Sequence, residues 1–263
     1  MLIPNVLKIG STKTIIIALC STLLMLSNAS FAIGLSTYRI YLDNEHREQN
    51  FFVYNRDAFP QDCKIKMRYY SFDKLGKMTV LKDEKKPDWA ADKFVRFSPK
   101  SFQVGSGQSQ AVRFKLRRKS KAEVKEYRSY ISLDCELVAS VEERKLKGNV
   151  QLVPKLRHNV PLIIRTGKID VELAFANISV NKGTVNFKLT KKGKRSTYGI
   201  IRLVDRTSQK VIAEQKAVSL HMETEEMTMS FSTKNIPVEN LILRFIEDEA
   251  LSGNKVIEEK VKA

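Results

Sequence analysis

Between Ser36 and Lys168 apolar and polar residues alternate in short bursts broken by turn residues, and this period of two most narrows what the chain can fold into. In Cys63 to Phe72, for instance, Cys63, Ile65, Met67 and Tyr69 fall on one side while Lys64, Lys66, Arg68 and Tyr70 fall on the other. A helix would need apolar residues every third or fourth position instead. Further bursts run over Tyr38–Leu42, Gln49–Asn55, Phe94–Phe97, Ala111–Leu116 and Tyr127–Leu137. Beyond Gly167, six more follow at Ile169–Ile178, Val185–Leu189, Tyr198–Val204, Val211–Ala213, Met227–Phe231 and Leu241–Ile246. No helix of ordinary length is expected. The chain therefore reads as all-β, with residues 33–166 and 167–263 each long enough for a small β-sandwich. Residues 82–93 are charged, hold the single tryptophan Trp89, and read as a loop.

Residues 1–32 read as a secretion signal. Lys8 and Lys13 give a positive flank, Thr14 to Leu26 is uncharged and mostly apolar, and Ser30-Phe31-Ala32 offers small residues for cleavage after Ala32. The run is short for a membrane span, which needs about 20 apolar residues. Cys20 would leave with the signal. The chain carries 46 basic and 29 acidic residues, a formal charge of +17, and cleavage would remove only the two lysines. That excess suits nucleic acid, an acidic membrane surface or an acidic protein. Export makes nucleic acid the least suitable, and no second apolar stretch is long enough for stable membrane insertion.

Two cysteines remain, Cys63 at the start of one strand and Cys135 near the end of another. Antiparallel neighbours would set them side by side, and an oxidising compartment favours a bridge over two buried thiols. Closing a loop of about 70 residues would contribute roughly 4 kcal/mol.

The stretch Leu146 to Arg165, LKGNVQLVPKLRHNVPLIIR, reads as a long strand interrupted once at Pro154. Leu146, Val150 and Leu152 share one parity; Arg157, Asn159, Pro161 and Arg165 share the other. Prolines at 154 and 161 cannot donate ladder bonds, so part of this strand belongs at a sheet edge. An apolar edge invites aggregation unless a partner strand is meant to occupy it.

No catalytic set is present. His46, His158 and His221 are isolated, no metal-ligand spacing joins them to Cys63 or Cys135, and no nucleophile elbow or phosphate loop occurs. Neither an enzyme, a metal nor a cofactor is expected.

In order along the chain, several segments resemble the periplasmic pilus assembly chaperones, the PapD-like family. They are Thr37-Tyr38-Arg39-Ile40-Tyr41, Phe94-x-x-x-Ser98-Pro99, Gln110-Ala111-Val112-Arg113, Glu126-Tyr127-Arg128-Ser129-Tyr130 and Val160-Pro161-Leu162-Ile163-Ile164-Arg165, with Phe245-Ile246-Glu247-Asp248 in the second half. The resemblance implies a boomerang of two immunoglobulin-like domains in the periplasm, holding pilus subunits by a lent strand and delivering them to an outer-membrane usher. The lent residues would be Leu146, Val150 and Leu152. Two basic residues at the base of the cleft would grip the subunit's terminal carboxylate. Arg39 stands where the first is expected, and Arg157 is taken as the second, with a bulge at Pro161 and His158 as the runner-up. Arg113, Glu126 and Asp248 are expected to form ion pairs between the domains. The rival expectation is a secreted adhesive protein binding acidic polymers through Lys182, Lys188, Lys191, Lys192, Lys194 and Arg195.

Overall fold

A computed structural model describes residues 33–81, 86–117, 123–138, 156–233 and 236–262. The secretion signal and the lent residues Leu146, Val150 and Leu152 lie outside them. The first half contains β1 (Ile33–Leu35), β2 (Ile40–Leu42), β3 (Glu48–Asn55), β4 (Gln61–Arg68), β5 (Tyr70–Phe72), β6 (Met78–Val80), β7 (Val95–Ser98), β8 (Ser101–Val104), β9 (Ser109–Leu116), β10 (Lys125–Leu137) and β11 (Leu156–Thr166). The second contains β12 (Glu172–Asn181), β13 (Thr184–Lys192), β14 (Thr197–Asp205), β15 (Val211–Leu220), β16 (Glu226–Ser232), β17 (Leu241–Glu247) and β18 (Val256–Lys260). Three short 3-10 turns, Ala91–Phe94, Val238–Asn240 and Glu249–Leu251, are the helical elements among the described residues.

Two sandwiches result. Sheets ordered β1-β3-β9-β7 and β2-β11-β10-β4-β8 enclose a core that includes Ile40, Phe51, Phe114, Ile131 and Leu162. Sheets ordered β12-β13-β16 and β15-β14-β17-β18 enclose another around Phe187, Leu203, Leu243 and Phe245. The alternation read from the sequence decides which side chains enter these cores. On β10, Tyr127, Ile131, Leu133 and Cys135 point inward, so Glu126, Arg128, Tyr130, Ser132 and Asp134 share the opposite face. That opposite face is buried too at Glu126, Arg128, Tyr130 and Ser132, because the second sandwich covers part of it.

Cys63 and Cys135 stand directly opposite each other on β4 and β10 and are bridged, with 2.06 Å between the sulfurs and a sequence separation of 72. The long strand expected from Cys63 to Phe72 is divided between Arg68 and Tyr70; Tyr69 keeps the inward side its parity gives it, its hydroxyl donating to Asp92, and Tyr70 beside it is buried as well. The first strand of the second half begins at Glu172, three residues later than the alternation suggested. The short edge strands β1 and β18 carry too few alternations for their sequence to announce them.

The bulge expected at Pro161 is absent. β10 and β11 pair without interruption from Lys125 opposite Thr166 to Cys135 opposite Leu156. Simple parity already places Arg157 and Pro161 on the face opposite Val160, Leu162 and Ile164. The edge character inferred from the prolines has a clear location. On its other side β11 pairs with β2 in parallel, over Leu162–Ile164 alone, so among the described residues Leu156–Pro161 have an open edge.

Candidate functional site: a cationic seam at the end of an open strand edge

Arg39 directly precedes β2, where the Thr37 hydroxyl fixes the backbone by accepting from the Arg39 N–H at 3.2 Å and donating to its carbonyl at 2.9 Å. Because β2 lies beside β11 with Ile40 opposite Leu162, Arg39 and Tyr41 share a face with Pro161, Ile163 and Arg165. One strand further over, the same face carries Glu126, Arg128 and Tyr130. The second sandwich packs against these residues and creates a small pocket lined by Arg39, Tyr41, Arg165, Ser196, Tyr198 and Glu247, among others.

Four arginines are buried in this region: Arg39, Arg128, Arg165 and Arg195. A buried guanidinium is tolerable when charge and donors are both matched. Arg128 is matched by Glu223 at 2.7 and 2.9 Å, by the Tyr70 carbonyl at 2.9 Å, and by the rings of Phe72 and Trp89, whose centroids lie 4.8 and 5.0 Å away. Arg165 donates to Glu126 at 2.9 Å and to the Ser196 carbonyl at 2.9 Å, with Tyr41 beneath it. Arg195 takes both oxygens of Glu247 at 2.7 and 3.0 Å.

Arg39 is the exception. It donates to the Ser219 hydroxyl at 2.9 Å and lies 4.3 Å from the Tyr198 ring centroid, yet among the described residues no carboxylate contacts it and its Nε has no hydrogen-bond partner. Burial pulls its pKa down, with Tyr130, Glu126 and Tyr198 opposing and Arg165 adding to the fall. For Arg165 burial acts in the same direction, but Glu126, Tyr41 and Glu247 together outweigh it and hold the pKa above the usual value. Burial likewise pushes the Tyr130 phenol up to about 12 despite the neighbouring Arg128 and Arg39. The base of the seam is therefore a cation and a neutral phenol, an arrangement that favours an anion.

The other expected site residues are placed as follows. Arg157 is on the cleft face of β11 but is held by Asp134 at 2.5 and 3.1 Å. It stands four residues from Pro161, the neighbour of Arg39, or ~13 Å along the strand. His158 has the opposite parity, beside Leu133, and its buried Nε2 has no hydrogen-bond partner. Glu126 does join the two sandwiches, accepting from Arg165 and from the Ser196 N–H at 3.1 Å. Arg113 and Asp248 do not join it. Arg113 lies on β9, facing a separate groove with Lys115 and Arg117, while the Asp248 carboxylate accepts from the Ala250 N–H at the start of a 3-10 turn. Among the described residues, the ion pairs that cross the seam are instead Arg128 with Glu223 and the exposed Lys74 with Glu225, while Glu126, paired with Arg165 within the first sandwich, reaches across by accepting from the Ser196 N–H. Sequence reading assigned Arg128 no role, although a charge between Tyr127 and Tyr130 was a visible signal. Glu223 and Ser219 stood in a segment with no pattern to mark them.

Of the basic residues proposed for binding acidic polymers, Lys191 and Arg195 are buried and Lys188 is paired with Glu226 at 2.7 Å. Lys182, Lys192 and Lys194 remain exposed.

No family model matches the sequence, and neither does any curated protein. Solved structures do resemble it, and they are structures of pilus chaperones. One is the CsuC–CsuE chaperone–tip adhesion subunit pre-assembly complex of Acinetobacter baumannii, at 12% identity and TM-score 0.46, covering 86% of this chain and 97% of the matched one. Another is the SafA pilin of Salmonella enterica in complex with the SafB chaperone, at 11% identity and TM-score 0.49, covering 88% and 96%. A third is the CupB2 chaperone of Pseudomonas aeruginosa, at 11% identity and TM-score 0.43, covering 86% and 100%. At such identities these are likenesses of fold.

Proposed function

We propose that this chain is a periplasmic chaperone that stabilises pilus subunits by lending them a strand and passes them to an outer-membrane usher. The observation that carries this reading is Arg39: a buried guanidinium without a carboxylate, at the point where β2 begins and the open edge of β11 ends. A guest strand added along Leu156–Pro161 would run into the position that β2 occupies from Ile40 onward. If that strand is the guest's last, its terminal carboxylate arrives at Arg39. A charge-assisted bond there would supply the anion that the other three buried arginines already have.

The lent segment continues the same strand backward. Leu146, Val150 and Leu152 would enter the guest's apolar groove, each burying a side chain worth ~1.5–3 kcal/mol, while main-chain bonds set the register. Arg157 lies further along the edge as a second cation, available to an acidic guest group once exchanged from Asp134. Residues 33–166 lend the strand, and residues 167–263 close the far side of the seam. No cofactor is required, since a subunit's own strand can replace the lent one at the usher.

Co-expression with a fimbrial subunit tests this. Arg39→Ala should cut subunit recovery from the periplasm at least tenfold, with Arg39→Lys intermediate, and unchanged recovery would remove the anchor. Val150→Ser with Leu152→Ser should abolish co-purification while leaving the chaperone folded by circular dichroism.

A further inference from the structure

On the opposite side of the first sandwich, away from the seam, the two sheets part along a groove of about 820 Å³. Its floor is apolar, formed by Ile65, Met67, Val95 and Phe97. Its wall is basic, with Lys86, Arg96, Lys100, Arg113, Lys115 and Arg117, against the single acid Asp92. Asp92 is already engaged by Lys86, Tyr69 and Ser129, and Lys115 is paired with Glu48. Among the described residues, Arg96, Arg113 and Arg117 have no carboxylate partner.

Two strand edges open into this groove. Among the described residues β7 ends its sheet, pairing only with β9, and β8 pairs with β4 as far as Lys64, beyond which the Ile65 N–H donates to the Lys100 carbonyl at 2.8 Å. The Arg117 N–H donates to the Phe94 carbonyl, so Arg96 and Ser98 turn their backbone groups toward β9 and Phe97 turns its own outward. Arg96 stands opposite Lys115 on the outer face, whereas Phe97 stands opposite Phe114 and stacks on it with 5.2 Å between centroids. A strand added beside β7 would therefore meet cations on its outward residues and apolar surface on its inward ones.

We infer that the β7 edge is a docking site for an extended segment of another protein in which acidic and apolar residues alternate. The occupant follows from complementarity on both faces. Acidic residues spaced two apart, ~6.8 Å, would face Arg96 on β7, with Arg113 and Arg117 one strand further on β9, and the intervening apolar residues would cover Phe97 and Met67. Pro99, which lacks an N–H, ends the edge and limits docking to about four residues. This site is independent of Arg39, so either can fail without the other.

The test uses the full mature chain and a fluorescent peptide of four Val-Glu repeats, blocked at both ends so that it offers Arg39 no carboxylate. Binding is read by anisotropy, and the edge by hydrogen exchange of the Phe97 amide. The peptide should bind and protect that amide. R96E/R113E should weaken binding at least tenfold, R96Q/R113Q less, both with unchanged melting temperature, and R39A should have no effect. Equal affinity for a peptide with its four glutamates in one block, or binding without protection of Phe97, would reduce the groove to a diffuse polyanion surface and overturn the proposal. So would indifference to both double substitutions.

Discussion

At the scale of single residues, the seam separates arginines by what neutralises them. Arg128, Arg165 and Arg195 each meet a glutamate; Arg39 meets a serine and a ring. Sequence order was enough to single out Arg39, because it stands in a recognisable opening strand. It could not show that Arg157 would be tied to Asp134, since that pairing depends on the register of β10 against β11 over 23 residues of separation. The same limit applied to Arg113 and Asp248: their charges were visible, but the faces they occupy are fixed only by tertiary pairing. His221 carries a prediction of its own. Stacked on Phe72 at 3.6 Å and buried, with Arg128 and Arg39 adding repulsion, it has a pKa lowered to about 3. The unfolded chain would take up that proton near pH 6.5 while the folded chain resists it, so stability is full above pH 6.5 and falls as pH drops toward 3. Between pH 6.5 and 5, above the carboxylate range, the unfolding free energy from urea titrations should decline with a slope of up to about 1.4 kcal/mol per pH unit. His221→Phe should flatten that decline.

At the scale of elements, the period of two located most strands, and the disulfide partners followed from their positions in them. Boundaries and short edges were less legible. β1 and β18 are held by pairing with β3 and β17 rather than by any pattern of their own. The break between Arg68 and Tyr70 was not legible, because Tyr69 keeps its inward side and Tyr70 next to it is buried against Tyr130. Gly199 shows a constraint that no pattern could reveal: a Cβ there would lie 2.1 Å from the Ile246 carbonyl oxygen, so β14 and β17 can approach only without a side chain. Gly199→Ala should destabilise the second sandwich by ~1–3 kcal/mol, measured by urea unfolding. It should also loosen Arg195, whose partner Glu247 pairs opposite Gly199.

At the scale of the whole molecule, the two sandwiches are joined by the Arg128–Glu223 ion pair and by buried hydrogen bonds from Arg165 and Glu126 to the Ser196 backbone, between partners far apart in sequence. Glu223→Ala would leave a fully buried guanidinium without its carboxylate and should cost ~3–5 kcal/mol, whereas Arg128→Met with Glu223→Leu should regain most of that. Equal losses in the single and double variants, compared by calorimetry, would mean that the pair does not hold the seam. A seam fixed in this way keeps Arg39 at a set distance from the open edge of β11, which is what a guest strand of defined length would need. The most direct measurement is a crystal structure of the chain with a bound fimbrial subunit. The subunit's terminal carboxylate should lie within hydrogen-bond distance of Arg39, with residues 146–152 paired into its groove. A subunit docked elsewhere, with Arg39 still donating to Ser219 and that strand unpaired, would contradict the account.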